Sequence, residues 1–292
     1  MNTIGTGTYS LAYREKEFRA TFQAINKRAL VANAICDVSR SGEKYISNPY
    51  SSEVTAVVQA LAGTYSVSGW TTTEDTLTVA DEFIYGEHVF DFEQQLLKKN
   101  AIADRMEKIS YGIVRAMDIW ALNTLCEDGT GAYTTPAGAL TTPANWPVVV
   151  AGINAKLAGY ATYAQNGFYF VIEAGDTVGL MQFQFGSGFS YADAALNNGL
   201  IGHVGGLDIY VVLDGTFVDA TTTAVSGTKT WTNSGHRVAG IKRTATWSNT
   251  SATWEEKGVS GKTGKEIAGY AYGGMKVWAN AAAMTIDVTV TA

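Results

Sequence analysis

Between Phe92 and Glu127 the chain carries one uninterrupted helical pattern, FEQQLLKKNAIADRMEKISYGIVRAMDIWALNTLCE. Ile102, Met106, Ile109, Ile113, Met117 and Trp120 recur in steps of three and four, which stacks them on one helix face. Val114, Ala121 and Leu125 widen that stripe towards its C-terminal end. No proline breaks the run, and Gly112 within it costs only about 1 kcal/mol relative to alanine. At 1.5 Å per residue such a helix is on the order of 50 Å long. A rod of that length fixes the layout of everything that packs along it.

The 292 residues can bury a large core and fit one or two domains. A hydrophobic fraction of 46% with mean hydropathy near zero describes a folded chain. Only 16% of residues are charged, while Thr, Val and Tyr are plentiful. Thin charge on a β-rich chain suggests a surface covered by something other than water, with neighbouring subunits one candidate. A net charge of −6 argues against a dedicated nucleic-acid binder, which needs a basic face. Cys36 and Cys126 make no disulfide framework, and Cys126 is most simply a small packed residue on the helix edge. The opening MNTIGTGTYSLAY has no basic start followed by an apolar run, so no signal peptide is expected. No apolar stretch is long enough to span a bilayer as a helix.

In chain order, residues 1–12 predict an extended arm and residues 13–35 a helix, with Phe18, Phe22, Ile25 and Leu30 along one side. Two β-like tracts follow, KYISNPYSSEVTAVVQAL and DTLTVADEFIYGEHVF, enclosing a Gly/Ser/Thr-rich tip that carries Trp70. They read as one elongated hairpin, too long to be stable alone in water, which must lie on its own domain or on another subunit. After the long helix, EDGTGAYTTPAGALTTPANWP holds three of the four prolines and reads as a loop and domain junction. A helix is expected over 147–163, a buried strand over 168–174, and a helix over 176–184 with Asp176 at its N-cap. GLIGHVGGLDIYVVLDG and the Thr/Val/Trp runs to Trp254 predict strands and turns. The end predicts a pair of strands flanking a turn near Ala279–Ala283.

No motif in the chain carries a strong signal for chemistry. VSGKTGKE lacks a phosphate-binding loop's first glycine, because Glu256 stands there, and reads as a turn. Gly199, Gly202, Gly205 and Gly206 are spaced GxxGxxGG and precede a strand, which suits tight turns better than a dinucleotide fingerprint. His88, His203 and His236 are isolated from one another and from the cysteines in sequence, so no metal set is expected. Ser187 does not meet the GxSxG frame. The pairs Asp91/Glu93 and Glu255/Glu256 read as solvated surface or inter-subunit salt bridges. No catalytic, cofactor-binding or metal-ligating residue is expected, and an enzyme is not.

The order of elements carries more than any motif. VFDFEQQLLKKNAIADRMEKISYGIVRAMDIWALNTL resembles the junction and spine helix of the major capsid protein of tailed bacteriophages, with Asp118 late in the helix as often found there. FYFVIEAGDTVGLMQ with GLIGHVGGLDIYVVLDG is similar to that family's axial-domain strand, helix and glycine turn. AYGGMKVWANAAAMTIDVTV is similar to its last peripheral-domain strands. The resemblance implies an α+β fold of the Hong Kong 97 type. Its parts would be an N-terminal arm at 1–45, an extended loop at 46–90, a peripheral domain at 91–135 and 241–292, and an axial domain at 136–240. It implies hexamers and pentamers of this chain tiling an icosahedral head around double-stranded DNA, made in the host cytoplasm and located in the virion, with scaffolding, portal and decoration proteins as partners. No cofactor and no membrane are implied. Some family members cross-link through a lysine on the extended loop; Ala62–Asp75 has none, so no such link is expected. Residues expected at subunit interfaces are Phe18, Phe22, Trp70, Lys98, Arg105 and Arg115. An encapsulin-type compartment shares the implied fold, and a β-rich surface adhesin is a more distant alternative.

Overall fold

The computed structural model describes residues 9–39, 45–51, 72–90, 101–138, 140–160, 166–187, 199–224, 227–249, 252–258 and 263–291. Trp70, Lys98 and the N-terminal part of the expected long helix lie outside them. Helices α1 (Tyr9–Ala29) and α2 (Ala32–Ile35) lead to strands β1 (Asp37–Ser39), β2 (Tyr45–Ser51), β3 (Thr72–Thr78) and β4 (Asp81–Val89). The long helix α3 (Ala101–Asp128) is followed by β5 (Gly131–Thr134), α4 (Trp146–Leu157), β6 (Phe168–Glu173) and α5 (Thr177–Ser187). Then come β7 (Leu200–Val204), β8 (Leu207–Val212), β9 (Asp219–Ala224), β10 (Gly227–Thr232) and β11 (His236–Ile241). The chain closes with β12 (Ala245–Asn249), β13 (Thr253–Gly258), β14 (Lys265–Val277) and β15 (Thr285–Thr289).

The stripe read along α3 is the one that is buried. Met106, Ile109, Ile113, Met117 and Trp120 are all 6% exposed or less, and Val114, Ala121 and Leu125 join them. The helix lies on a five-stranded sheet whose axis is the 13-residue β14. One edge of β14 pairs antiparallel with β4 and the other with β13 and β12 in succession, while β1 adds to β12 in parallel. Alternation along β14 turns Ile267 and Ala271 inward and leaves Tyr272 outside.

A six-stranded sheet, β5-β15-β11-β6-β8-β7, forms the second body of structure. The β6–β8 pair is parallel, and the chain between them contains α5. β6 reads as a continuous apolar run because both its faces are covered. Tyr169 and Val171 face the core built on α3, and Phe170 and Ile172 face a second core under α4. Gly205 and Gly206, both at positive φ (54° and 94°), close the β7–β8 hairpin, where Val204 pairs with Leu207. A two-residue hairpin loop with both φ values positive explains the glycine spacing without any nucleotide.

Three expectations change. The two β tracts do pair, Tyr45 opposite Thr78 through Ser51 opposite Thr72, but the second tract divides: β4 leaves the hairpin and joins β14. The C-terminal strands are not a pair, since β14 and β15 belong to different sheets and a 3-10 turn at Ala282–Met284 steps between them. The proline-rich junction contains β5, which pairs in parallel with β15. The six-stranded sheet therefore crosses the boundaries expected at 135/136 and 240/241.

Candidate functional site

The site is built outward from α3. On one side α1 lies against it, fixed by Phe18 and Phe22 at 0% and 1% exposure. Phe18 packs against Trp254 at 5.1 Å between ring centroids, and a Cβ at Gly269 would sit 2.5 Å from Phe18 Cζ. Only glycine leaves that ring room, so β14 is thinned where the arm helix crosses it. Burying two phenylalanines contributes about 1.5–3 kcal/mol each. These side chains, expected at a subunit interface, are thus spent inside the subunit.

The arm helix is also tied by charge. Arg14 Nη1 donates to both carboxylate oxygens of Glu256 at 2.9 and 3.0 Å, and Trp254 Nε1 donates to Oε1 at 3.1 Å. Burial acts against ionisation there, but the Arg14 and Trp254 donors hold the Glu256 carboxyl below its ordinary range. Glu256, read from the sequence as solvated surface or an inter-subunit partner, is tied within its own subunit to Arg14, Trp254 and Lys265. Arg105 pairs with Glu87 of β4, and Arg115 is exposed on α3 beside Asp118.

Sequence reasoning passed over Asn123, a fully buried residue of α3. Its amide donates to Thr216 O at 2.8 Å, and its Oδ1 accepts from Val218 N and Asn233 Nδ2 at 3.2 and 3.1 Å. It pins the helix to the turn after β8 and to the loop after β10. Beside it, Trp120 meets Trp231 edge-on at 5.1 Å, seating the β9–β10 hairpin.

Asp118 takes the amide of Ala32 at 3.1 Å and so satisfies the start of α2. Burial pushes its carboxyl up to about 7 against the pull of the Ala32 and Val31 amides. The folded subunit then holds a proton that the unfolded chain, with an ordinary value of 3.8, has released. Stability from this group is fullest below pH 3.8 and is lost as pH rises to about 7, with no further change above that. Asp118→Asn keeps an acceptor for Ala32. It is expected to flatten that slope and to raise the urea midpoint at pH 8 relative to the parent chain.

The root of the β2–β3 ribbon is anchored. Asp75 pairs with Lys276 at 3.0 Å and accepts from Ala279 N at 3.2 Å, and Leu77 and Val79 are buried in the second core. Farther out, Thr72, Thr73 and Glu74 are successive residues and all exposed. Successive strand side chains point to opposite faces, so neither face of the ribbon is covered there. The outer face of the five-stranded sheet is also apolar in part, with Ile84 63% and Tyr272 39% exposed, while Tyr85, 51% exposed, points to the opposite face of β4.

Two recesses among the described residues border α3. One of about 110 Å³ lies between α3 and β8 with Tyr111, Arg115, Asp118 and Leu213 on its walls. Another of about 440 Å³ lies between β3, β14 and Trp120. Distant residues do converge in one place: Cys126, His236 and Asp287 present ligand-type atoms within 4.8 Å of one another.

No family model matches the sequence, and no curated protein sequence matches it. Solved structures do match in three dimensions. The capsid of Cyanophage P-SCSP1u superposes with TM-score 0.63 at 12% identity, over 91% of this chain and 89% of that one. The mature capsid of bacteriophage PhiM1 superposes with TM-score 0.63 at 11% identity, over 90% and 87%. A virus-like particle from Pyrococcus furiosus superposes with TM-score 0.57 at 8% identity, over 94% and 98%. At these identities the likeness speaks for the fold, and it runs nearly end to end in each pair. The chain has the α+β, Hong Kong 97-type fold of tailed-phage capsid proteins.

Proposed function

We propose that the chain is the major capsid protein of a tailed phage, assembling with copies of itself into hexamers and pentamers of an icosahedral head that encloses double-stranded DNA. The observation that carries this reading is the ribbon at Thr72–Glu74, exposed on both faces in a chain whose fold follows a shell subunit nearly end to end. A two-stranded ribbon is marginal in water, and a neighbouring copy supplies the surface it lacks. Ile84, Tyr85 and Tyr272 offer apolar area of the kind a neighbour would cover. The role is structural rather than catalytic. The division of the resemblance into arm, extended loop, peripheral and axial parts, with the six-stranded sheet shared between the last two, belongs to the same proposal, as do the interface duties of Arg105, Arg115, Trp70 and Lys98 and the scaffolding, portal and decoration partners.

A second reading, an encapsulin-type compartment, is favoured by the likeness to the Pyrococcus furiosus virus-like particle. Purified native particles separate the two. A phage head yields this chain as the dominant protein around nuclease-protected double-stranded DNA. A compartment yields it around a protein cargo without such DNA, which would overturn the head.

A further inference from the structure

Cys126 lies in the last turn of α3, His236 begins β11 and Asp287 sits mid-way along β15. In the β11–β15 ladder Asp287 stands opposite Val238, so His236 is its diagonal neighbour on the same face. That face is the one covered by the end of α3. Asp287 Oδ1 faces His236 Nδ1 at 2.8 Å and accepts from Cys126 Sγ at 3.1 Å.

Thiol and imidazole address the same carboxylate oxygen, side by side. The carboxylate stands between them, unlike the series of nucleophile, base and orienting acid in a triad. What remains is a converging thiol, imidazole and carboxylate whose ligand atoms all lie within 4.8 Å. Around tetrahedral zinc, with bonds of about 2.0–2.3 Å, neighbouring ligand atoms are roughly 3.5 Å apart, so modest side-chain shifts admit the ion. We propose that Cys126, His236 and Asp287 form a three-ligand site for a zinc-class divalent transition metal, open to solvent at its fourth position.

The donor set selects the ion. Thiolate and imidazole suit zinc or cobalt and disfavour magnesium and calcium, which take oxygen ligands. Thiolate and carboxylate together neutralise the two positive charges, and the thiol proton leaves to solvent as the metal–sulfur bond forms. Cys126 is the buried floor at 2% exposure, while the His236 and Asp287 side chains are 25% and 27% exposed and give the ion its path. Bound there, the metal clamps the end of α3 to β11 and β15, and so joins the helix to the six-stranded sheet. This holds whether or not the chain forms a shell.

The test titrates the metal-free full-length protein with cobalt(II), then with zinc(II). One cobalt per chain is expected, with thiolate-to-cobalt charge-transfer absorption that zinc abolishes. Cys126→Ser removes that absorption while Cys36→Ser keeps it. Asp287→Asn and His236→Gln, each checked by circular dichroism for a native fold, weaken binding by more than about tenfold. Absence of the absorption in the parent chain, its survival in Cys126→Ser, or parental affinity in folded Asp287→Asn and His236→Gln would each overturn the site.

Discussion

Replacing Arg237 with alanine is expected to destabilise the subunit by about 3–5 kcal/mol, read as a large fall in the urea midpoint of the soluble protein. Arg237 is 7% exposed, and its guanidinium spends its donors on three groups at once. Nε donates to Asp176 Oδ2 at 2.6 Å, Nη2 pairs with Glu173 Oε2 at 2.9 Å, and Nη1 donates to His236 O at 2.6 Å. The ring of Phe217 lies 5.6 Å from its Cζ. Glu173 also accepts the amides of Thr216 and Phe217, so the network orders the turn after β8 as well. Alanine leaves two nearly buried carboxylates facing each other with no cation between them. Arg237→Lys restores little, because one ammonium cannot reproduce the planar fork that serves both acids. Arg237→Met combined with Glu173→Gln and Asp176→Asn recovers most of the loss, since no unpaired charge then remains. A midpoint within about 1 kcal/mol of the parent in Arg237→Ala would mean that water already screens these groups.

Phe18→Ala is expected to lose a similar amount, about 3–5 kcal/mol, in the isolated subunit. The side chain is 0% exposed, and Trp254, Ile109 and the backbone at Gly269 surround it, so alanine leaves a cavity under α1. The measurement also decides where Phe18 acts. A core residue lowers the stability of the unassembled subunit, whereas an interface residue would leave that unchanged and weaken only association. Thermal or urea unfolding at a concentration too low for assembly separates the two, and unchanged stability would refute the packing described.

Legibility in the sequence followed the range of the signal. The α3 stripe was readable because period and burial are local properties of one helix, and every described member from Met106 to Leu125 faces the core. The β7–β8 turn was readable because Gly205 and Gly206 are the cheap solution to a two-residue loop with positive φ. Partner choice was not. LTVADEFI holds no glycine or proline to mark where β3 ends and β4 crosses to β14. The helical face holding Phe18 and Phe22 was legible, yet nothing local says whether the same chain or another covers it. Arg237 with Glu173 and Asp176, Asn123 with Asn233, and Cys126 with His236 and Asp287 are assembled by sheet register across scores of residues. A single sequence carries no signal for such meetings. Asp176 shows the same limit on a small scale. It was expected to cap the following helix, but its side chain turns back to the amide of Glu173 at 3.0 Å and to Arg237.

Images of the purified full-length chain, negatively stained across a range of protein and salt concentrations, test the central account most directly. Closed shells of uniform diameter are expected, because the ribbon beyond Asp75 and the exposed sheet face find their cover on other copies. A monodisperse 31.2 kDa monomer under every condition would contradict it.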